Sequence, residues 1–234
     1  MTQPEPDPSA AIRANDGLEG AKLAAIVLMV VNHVGLALPE PWPTSGHLCG
    51  RPCLALFAFV LGARLASRPA GRSGRAAVRL LLWGAVAQVP YLLLVGGVAL
   101  RLDVLFTLAL GAGGVWLMQT GRAWALIPLG AVAALANPWL DGGGLGAAAV
   151  VASAALLQRD RPVMGVLAAA ACVAASNLIA APDRLLAAAA VFAGPAIWLA
   201  ARRLPPPPRL PGWAFYAFYP AHLAVIWLVF GPLG

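Results

Sequence analysis

The sequence contains little charge and little cysteine. Only 11% of its 234 residues are charged, 61% are hydrophobic and the mean hydropathy is +0.80, whereas soluble domains have about 25% charged residues. This scarcity of charge excludes an ordinary soluble domain, a disordered chain and a nucleic-acid-binding domain, even though the net charge is +7. The three cysteines exclude a disulfide scaffold. The composition therefore predicts an integral membrane protein.

Long apolar runs predict an all-α fold with a bundle of about nine transmembrane helices. A spanning helix needs about 20 mostly apolar residues, and backbone polar groups in lipid must bond within their own helix. The nine predicted spans lie near residues 19–38, 48–66, 76–97, 102–119, 122–137, 143–158, 162–181, 184–201 and 212–232. The fifth and sixth are interrupted by glycine and proline, so they form either two spans or a re-entrant hairpin. We expect a polar cytoplasmic segment at 1–17 and a single membrane domain at 18–234.

Basic residues are distributed unequally between the two predicted sides. With nine spans, thirteen basic residues lie near the segment ends on one side, and three, Arg51, Arg101 and Arg184, lie on the other. The positive-inside rule then places the N-terminus in the cytoplasm and the C-terminus outside. The residues before the first apolar run are not basic, so we expect that run to remain as a membrane helix.

Histidine and lysine inside apolar spans are candidate functional residues, because ionisable groups in lipid are costly. Lys22 and His33 are eleven residues apart, so they share a helix face and are separated by roughly 16 Å along the axis. His222 lies near the middle of the last span, beside the kink expected at Pro220. Lys22 is alternatively an interfacial anchor, and each histidine alternatively links helices. We favour a chemical role for both histidines.

Three further sets of residues have open interpretations. Asp103, Thr107 and Gly111 recur every four residues and predict one polar, closely packed strip on the fourth helix. Asp103 alternatively pairs with an arginine at the outer surface. His47, Cys49 and Cys53 are irregularly spaced and lack a fourth ligand, so no metal site is expected, while a local disulfide stays open.

Six segments resemble, in order, the TraX family, membrane proteins named for the F-pilin acetylase of conjugative plasmids. The family's first block usually ends Asp-His-Ile-Gly, its fourth reads Asn-Val-Leu-Phe-Thr-Leu-x-x-Gly and its last reads Phe-Tyr-Pro-x-His-Leu. The matching segments here are 22–35, 50–59, 79–91, 104–111, 141–146 and 218–223. The family is also similar to the wider group of multi-span acyltransferases, whose first helix carries a basic residue and a histidine eleven positions later.

The resemblance implies transfer of an acetyl group from cytoplasmic acetyl-CoA to an amine or hydroxyl of an acceptor in or across the membrane. The acceptor is a pilin-like peptide N-terminus, or a sugar, lipid or natural product; no nucleic acid and no metal are expected. The candidate catalytic residues are His33, His222, Asp103 and Asn32. The candidate donor-binding residues are Lys22, Arg64, Arg68, Arg75 and Arg79. The candidate acceptor-binding residues are Arg51, Thr107, Gln88, Asp141 and Tyr219.

Two departures from the family pattern bear on the chemistry. Asn32 replaces the usual acid before His33, and Asp103 stands where the family usually has asparagine. The two changes are one exchange of a carboxylate between helices if the positions face each other. Two other functions stay open: a small proton- or ion-coupled transporter that uses His33, Asp103 and His222, and a structural component of a secretion or conjugation apparatus.

Overall fold

The computed structural model describes residues 8–38, 48–95, 101–180, 184–205, 207–208 and 211–231. Within these ranges the chain is helical, as predicted, and the only extended pairing is a bridge between Leu102 and Leu140. The helices are α1 (Pro8–Ala37), α2 (Pro52–Ala66), α3 (Ala70–Leu94), α4 (Val104–Gln119), α5 (Leu126–Leu135), α6 (Gly143–Leu157), α7 (Pro162–Ala180), α8 (Arg184–Val191), α9 (Ala193–Ala201) and α10 (Gly212–Phe230). A short 3₁₀ turn over Ala123–Ala125 precedes α5.

Six helical segments in the described part of the chain are long and apolar enough to cross a membrane. They are Gly17–Gly35, Leu48–Ala66, Ala70–Leu94, Pro162–Ile179, Arg184–Ala201 and Gly212–Phe230. Three shorter apolar segments, Val104–Gln119, Ala123–Leu135 and Gly143–Leu157, coincide with the other predicted spans. At 1.5 Å per residue they reach roughly 20–24 Å, less than the hydrocarbon core of about 30 Å. The chain is a multi-pass membrane protein, and the count of nine and the side of the N-terminus stay predictions.

The structure adds detail to two of the predicted segments. Helix α1 begins at Pro8, so the stretch predicted as a separate polar segment is helical over 8–17 and continuous with the first span; residues 1–7 lie outside the described part. The predicted span 184–201 consists of two helices that meet at Phe192. Pro195 explains the break, because it lacks an N–H donor and its ring displaces the carbonyl four residues earlier.

The starts of several helices follow from single residues. Pro52 and Pro162 occupy the first positions of α2 and α7, where a missing N–H costs no helical hydrogen bond. The Asp103 carboxylate caps α4 by accepting a hydrogen bond of 2.8 Å from the Leu105 amide. Gly142, just before α6, and Gly143, its first residue, have φ values of +86° and +63°, a backbone region that glycine adopts readily. These caps and turns fix the ends of α4 and α6 near one another.

Helix α2 lies at the centre of the bundle. Its span is 56% buried, against 22–39% for the other five long spans, and it packs against α1, α4, α6, α7 and α9. Close packing depends on glycine: a Cβ at Gly62 would lie 2.8 Å from the Ser153 Cβ and from the Val150 carbonyl oxygen. A Cβ at Gly111 would lie 2.7 Å from two Val150 side-chain carbons. Small residues at such contacts let helix backbones approach closely in lipid, so α2, α4 and α6 form a compact unit.

Candidate functional site

Helices α1 and α10 bring the two predicted histidines together. The Nδ1 atom of His33 lies 3.0 Å from the Nε2 atom of His222, and both side chains are buried. The Nδ1 atom of His222 lies 3.2 Å from the carbonyl oxygen of Phe218. Because a carbonyl only accepts, a neutral His222 carries its proton on Nδ1, and His33 then donates from Nδ1 to the His222 Nε2. This arrangement leaves Nε2 of His33 with a free lone pair.

The turn before His222 surrounds its ring with aromatic side chains. Phe218 stacks on the imidazole with ring centroids 5.2 Å apart and an interplanar angle of 9°. Tyr219 meets it edge-on at 5.4 Å and 61°. The stacking and the Phe218 carbonyl together restrict rotation of the His222 ring, so the ring presents a fixed acceptor to His33.

A first cavity of about 500 Å³ contains most of the residues predicted to bind the donor. Among its lining residues are four cations, Lys22, Arg64, Arg68 and Arg79, and one carboxylate, Glu19. The excess of positive charge favours an anionic ligand. Arg75, the fifth predicted donor-binding residue, is exposed and does not line this cavity, so its role stays a prediction.

Glu19 is a functional candidate that the sequence reasoning missed. Its carboxylate is 2.7 Å from Lys22 Nζ, and its other oxygen pairs with Arg64. The Lys22 ammonium also lies 3.5 Å above the centroid of the Phe215 ring, a cation–π contact. The spacing of Glu19 three residues before Lys22 is the sequence signal that could have indicated the pair.

A second cavity of about 220 Å³ brings together predicted catalytic and acceptor-binding residues. His33, Asn32, Arg51, Asp141 and Tyr219 all line it. Among the lining residues that were not assigned from the sequence are Arg101, Ser176 and Asn177. The polar pair at 176–177 inside the otherwise apolar α7 was the signal for two of them.

The carboxyl group of Asp141 interacts with the positive charges of the two arginines in the second cavity. Burial raises the pKa of its carboxyl, while the charges of Arg101 and Arg51 lower it. Asp141 is on the turn between α5 and α6, outside the helices. The effect of burial is the larger one, so the pKa stays raised. Both arginines line the same cavity as Asp141, and we call these three residues the charged group.

Three predicted site residues contact the backbone that carries this charged group. The side chain of Gln88 donates to the Arg101 carbonyl at 2.6 Å and accepts from the Asp103 amide at 3.1 Å. The Thr107 hydroxyl donates to the Asp141 carbonyl at 2.6 Å. These bonds fix the backbone at 101–103 and at 141, so Gln88, Asp103 and Thr107 position the cavity lining.

Asn32 and Asp103 have different partners. A Cβ at Gly50 would clash with the Asn32 side chain, which shows that Asn32 packs tightly on the start of the second span. Asp103 caps α4 and is fully buried there. The facing pair that a carboxylate exchange requires is therefore not supported by these contacts.

The two cavities adjoin each other. Met29, Phe57, Val104 and Tyr219 line both of them, and we call these four residues the shared wall. Lys22 lies in the first cavity and His33 in the second, consistent with their separation of about three turns along α1. The two cavities therefore meet at the shared wall, and His33 is in the lining of the second cavity.

The three cysteines are free, so the local disulfide left open from the sequence is not formed. Cys53 lines the second cavity. His47, the third residue of that motif, lies outside the described residues. In the described ranges there is no group of three or more His, Cys, Asp or Glu side chains suited to a metal ion.

A family model described as TraX protein matches residues 18–230. The chain belongs to the TraX family. The TraX match covers nearly the whole chain, from the first long span to the end of α10, and so includes both histidines and the linings of both cavities. No curated protein and no solved structure gives a significant match.

Proposed function

We propose that this TraX-family protein is an acetyltransferase of the bacterial inner membrane. It transfers an acetyl group from cytoplasmic acetyl-CoA to an amine or hydroxyl of an acceptor in or across the membrane. The acceptor is a pilin-like peptide N-terminus, or a sugar, lipid or natural product. The observation that supports this most strongly is the linked histidine pair, His33 and His222, beside two cavities with a shared wall.

The first cavity has the properties that acetyl-CoA binding requires. Its volume of about 500 Å³ lies in the range of about 300–1,000 Å³ typical of small-molecule sites. The cations Lys22, Arg64, Arg68 and Arg79 suit the phosphates of the donor, since arginine and lysine form charge-assisted hydrogen bonds with phosphate. The apolar lining residues suit the acetyl-pantetheine arm, which would reach the shared wall.

The histidine pair supplies a base for the transfer step. The Nε2 atom of His33 removes the proton from the acceptor amine or hydroxyl as the nucleophile attacks the thioester carbon. A new bond forms from the acceptor nitrogen or oxygen to the acetyl carbon, and the carbon–sulfur bond breaks. The CoA thiolate leaves and receives the proton from His33. His222 holds the ring of His33 in the tautomer that this step needs.

Two substitutions at one position separate chemistry from packing. Purified protein in nanodiscs would be incubated with radiolabelled acetyl-CoA, and both donor binding and CoA release would be measured. His33→Asn keeps an N–H donor where Nδ1 lies, so the link to His222 survives, but the base is lost; His33→Ala loses both. We expect both variants to bind the donor normally and to lose about 10²–10⁴-fold in turnover.

Failure of folded wild-type protein to bind acetyl-CoA or longer acyl-CoAs would refute the donor assignment. Full turnover in His33→Asn would refute His33 as the base and leave it as a link between α1 and α10. Size-exclusion profiles confirm in each case that the variant is folded. If the wild-type protein does not bind the donor, the transporter and the structural component would be the favoured functions.

A further inference from the structure

The second cavity is lined by more positively charged than negatively charged side chains. Two guanidinium groups, those of Arg51 and Arg101, line it, and Asp141 is the one carboxylate among the described lining residues. The Nε–H of Arg51 is buried and has no hydrogen-bond partner within the described part of the chain. A buried donor without an acceptor is unfavourable, so an anion bound in this cavity would satisfy the Arg51 Nε–H and balance the excess positive charge.

The unsatisfied arginine and the proposed base are held near each other by one helix contact. Gly50 allows Asn32 to pack directly against the start of the second span. The residues that follow these two in sequence, Arg51 and His33, both line the second cavity. The anion site and the nucleophile site therefore open into one space of about 220 Å³, which suits only a small group.

The rest of the cavity lining agrees with a ligand that carries both an anion and a nucleophile. Ser176 and Asn177 add neutral hydrogen-bonding groups from α7. Asp141 attracts an ammonium group, while Arg51 attracts an oxyanion, so opposite charges on the ligand would each meet a partner. A neutral amine or alcohol would offer the Arg51 Nε–H only an uncharged acceptor, and a hydrogen bond to an anion is roughly twice as strong.

We propose that the second cavity binds an acceptor whose reacting amine or hydroxyl lies close to a carboxylate or phosphate, and that Arg51 binds this oxyanion. Calling this ligand an acceptor rests on the proposed acetyltransferase function. Its binding to the second cavity does not require the donor. Two sources supply this chemistry: the headgroup of a phospholipid such as phosphatidylethanolamine, and a water-soluble molecule with the same groups. Arg51 is here a specificity residue, because it selects the acceptor by charge.

Binding would be measured first, without acetyl-CoA. Radiolabelled O-phosphoethanolamine and glycine would be tested by equilibrium dialysis against protein in maltoside micelles, with ethanolamine as the competitor that lacks the anion. We expect saturable binding of at least one anionic probe and no competition by ethanolamine. Arg51→Gln should weaken binding about tenfold or more, whereas Arg79→Gln, in the first cavity, should not change it.

The outcomes separate this proposal from the proposed function. Absence of saturable binding of both anionic probes, equal competition by ethanolamine, or an equal loss in the Arg51 and Arg79 variants would overturn the anion site. Specific binding that depends on Arg51, in folded protein that does not bind acetyl-CoA or longer acyl-CoAs, would retain the site and refute the acetyltransferase.

The source of the ligand is then identified from the product. Protein in nanodiscs with phosphatidylethanolamine would receive radiolabelled acetyl-CoA, with phosphatidylcholine nanodiscs plus O-phosphoethanolamine as the second arm. Label in the lipid fraction of the first arm identifies a lipid headgroup as the acceptor. Label only in the soluble product of the second arm identifies a water-soluble acceptor. A repeat of the second arm with ethanolamine in place of O-phosphoethanolamine should give less labelled product, and equal labelling would contradict selection by Arg51.

Discussion

Replacing Gly111 with alanine should strain the contact between α4 and α6. The new Cβ would lie 2.7 Å from the Val150 Cβ and Cγ2 atoms and 2.9 Å from the Ala147 carbonyl oxygen. Ordinary carbon contacts are about 3.5–4.0 Å, so the helices would have to separate by roughly 1 Å. Overpacking of this kind costs about 1–3 kcal/mol, and part of the strain falls on backbone, which cannot rotate away.

Gly113 is a matched control on the same helix. A Cβ at this position meets no heavy atom within 4 Å. Both substitutions gain about the same helix propensity, at most about 1 kcal/mol, so this gain cancels when the variants are compared. The difference in unfolding free energy between Gly111→Ala and Gly113→Ala should therefore equal the packing strain, about 1–3 kcal/mol, or 5- to 150-fold in the folding constant.

The assay is unfolding of each variant by SDS in mixed micelles, followed by tryptophan fluorescence. We expect Gly111→Ala to unfold at clearly lower SDS than Gly113→Ala, and Gly113→Ala to unfold at SDS equal to or higher than the parent. Equal midpoints for the two variants would refute the close contact of α4 with Val150 on α6.

Three further predictions concern the two cavities. Arg79→Ala should weaken CoA binding about tenfold through loss of a phosphate contact. In the same binding assay Arg75→Ala, which lies outside the cavity lining, should leave CoA binding unchanged. Equal effects of the two substitutions would contradict the first cavity as the donor site. Glu19→Gln should tighten CoA binding severalfold, because it removes the one carboxylate among the described lining residues; weaker binding would show that Glu19 orients its two cations instead. Gln88→Leu should lower acetyl transfer but not donor binding, because it releases the backbone at 101–103; parallel losses in both assays would contradict this positioning role.

Apolar runs were sufficient to predict the helices, because a helix in lipid forms all of its backbone hydrogen bonds internally and its length follows from the thickness of the hydrocarbon core. They could not predict the helical start at Pro8, because the residues over 8–17 are not an apolar run. The apolar run over 184–201 also did not reveal the break between α8 and α9, because Pro195 interrupts helical hydrogen bonding but not the run of apolar residues.

The site was predictable only in part, because its residues come from distant helices. The spacing of Lys22 and His33 follows from helix geometry within one span. The contact of His33 with His222 joins residues 189 positions apart, and no local pattern encodes it. Glu19 has one partner, Lys22, on its own helix, but its second partner, Arg64, lies on α2. Arg101 shares a cavity with Asp141, forty positions later, and no local pattern encodes that proximity.

The shared wall bears on how the proposed reaction responds to the membrane potential. It consists of three apolar side chains and one phenol, from Met29, Phe57, Val104 and Tyr219. Moving one elementary charge across a membrane costs about 2.3 kcal/mol per 100 mV, whereas the acetyl group is neutral. In the proposed reaction the charged phosphates stay on the cytoplasmic side, and only an uncharged fragment passes the wall. The wall would then act as an insulator, and the rate of acetyl transfer should not depend on the membrane potential.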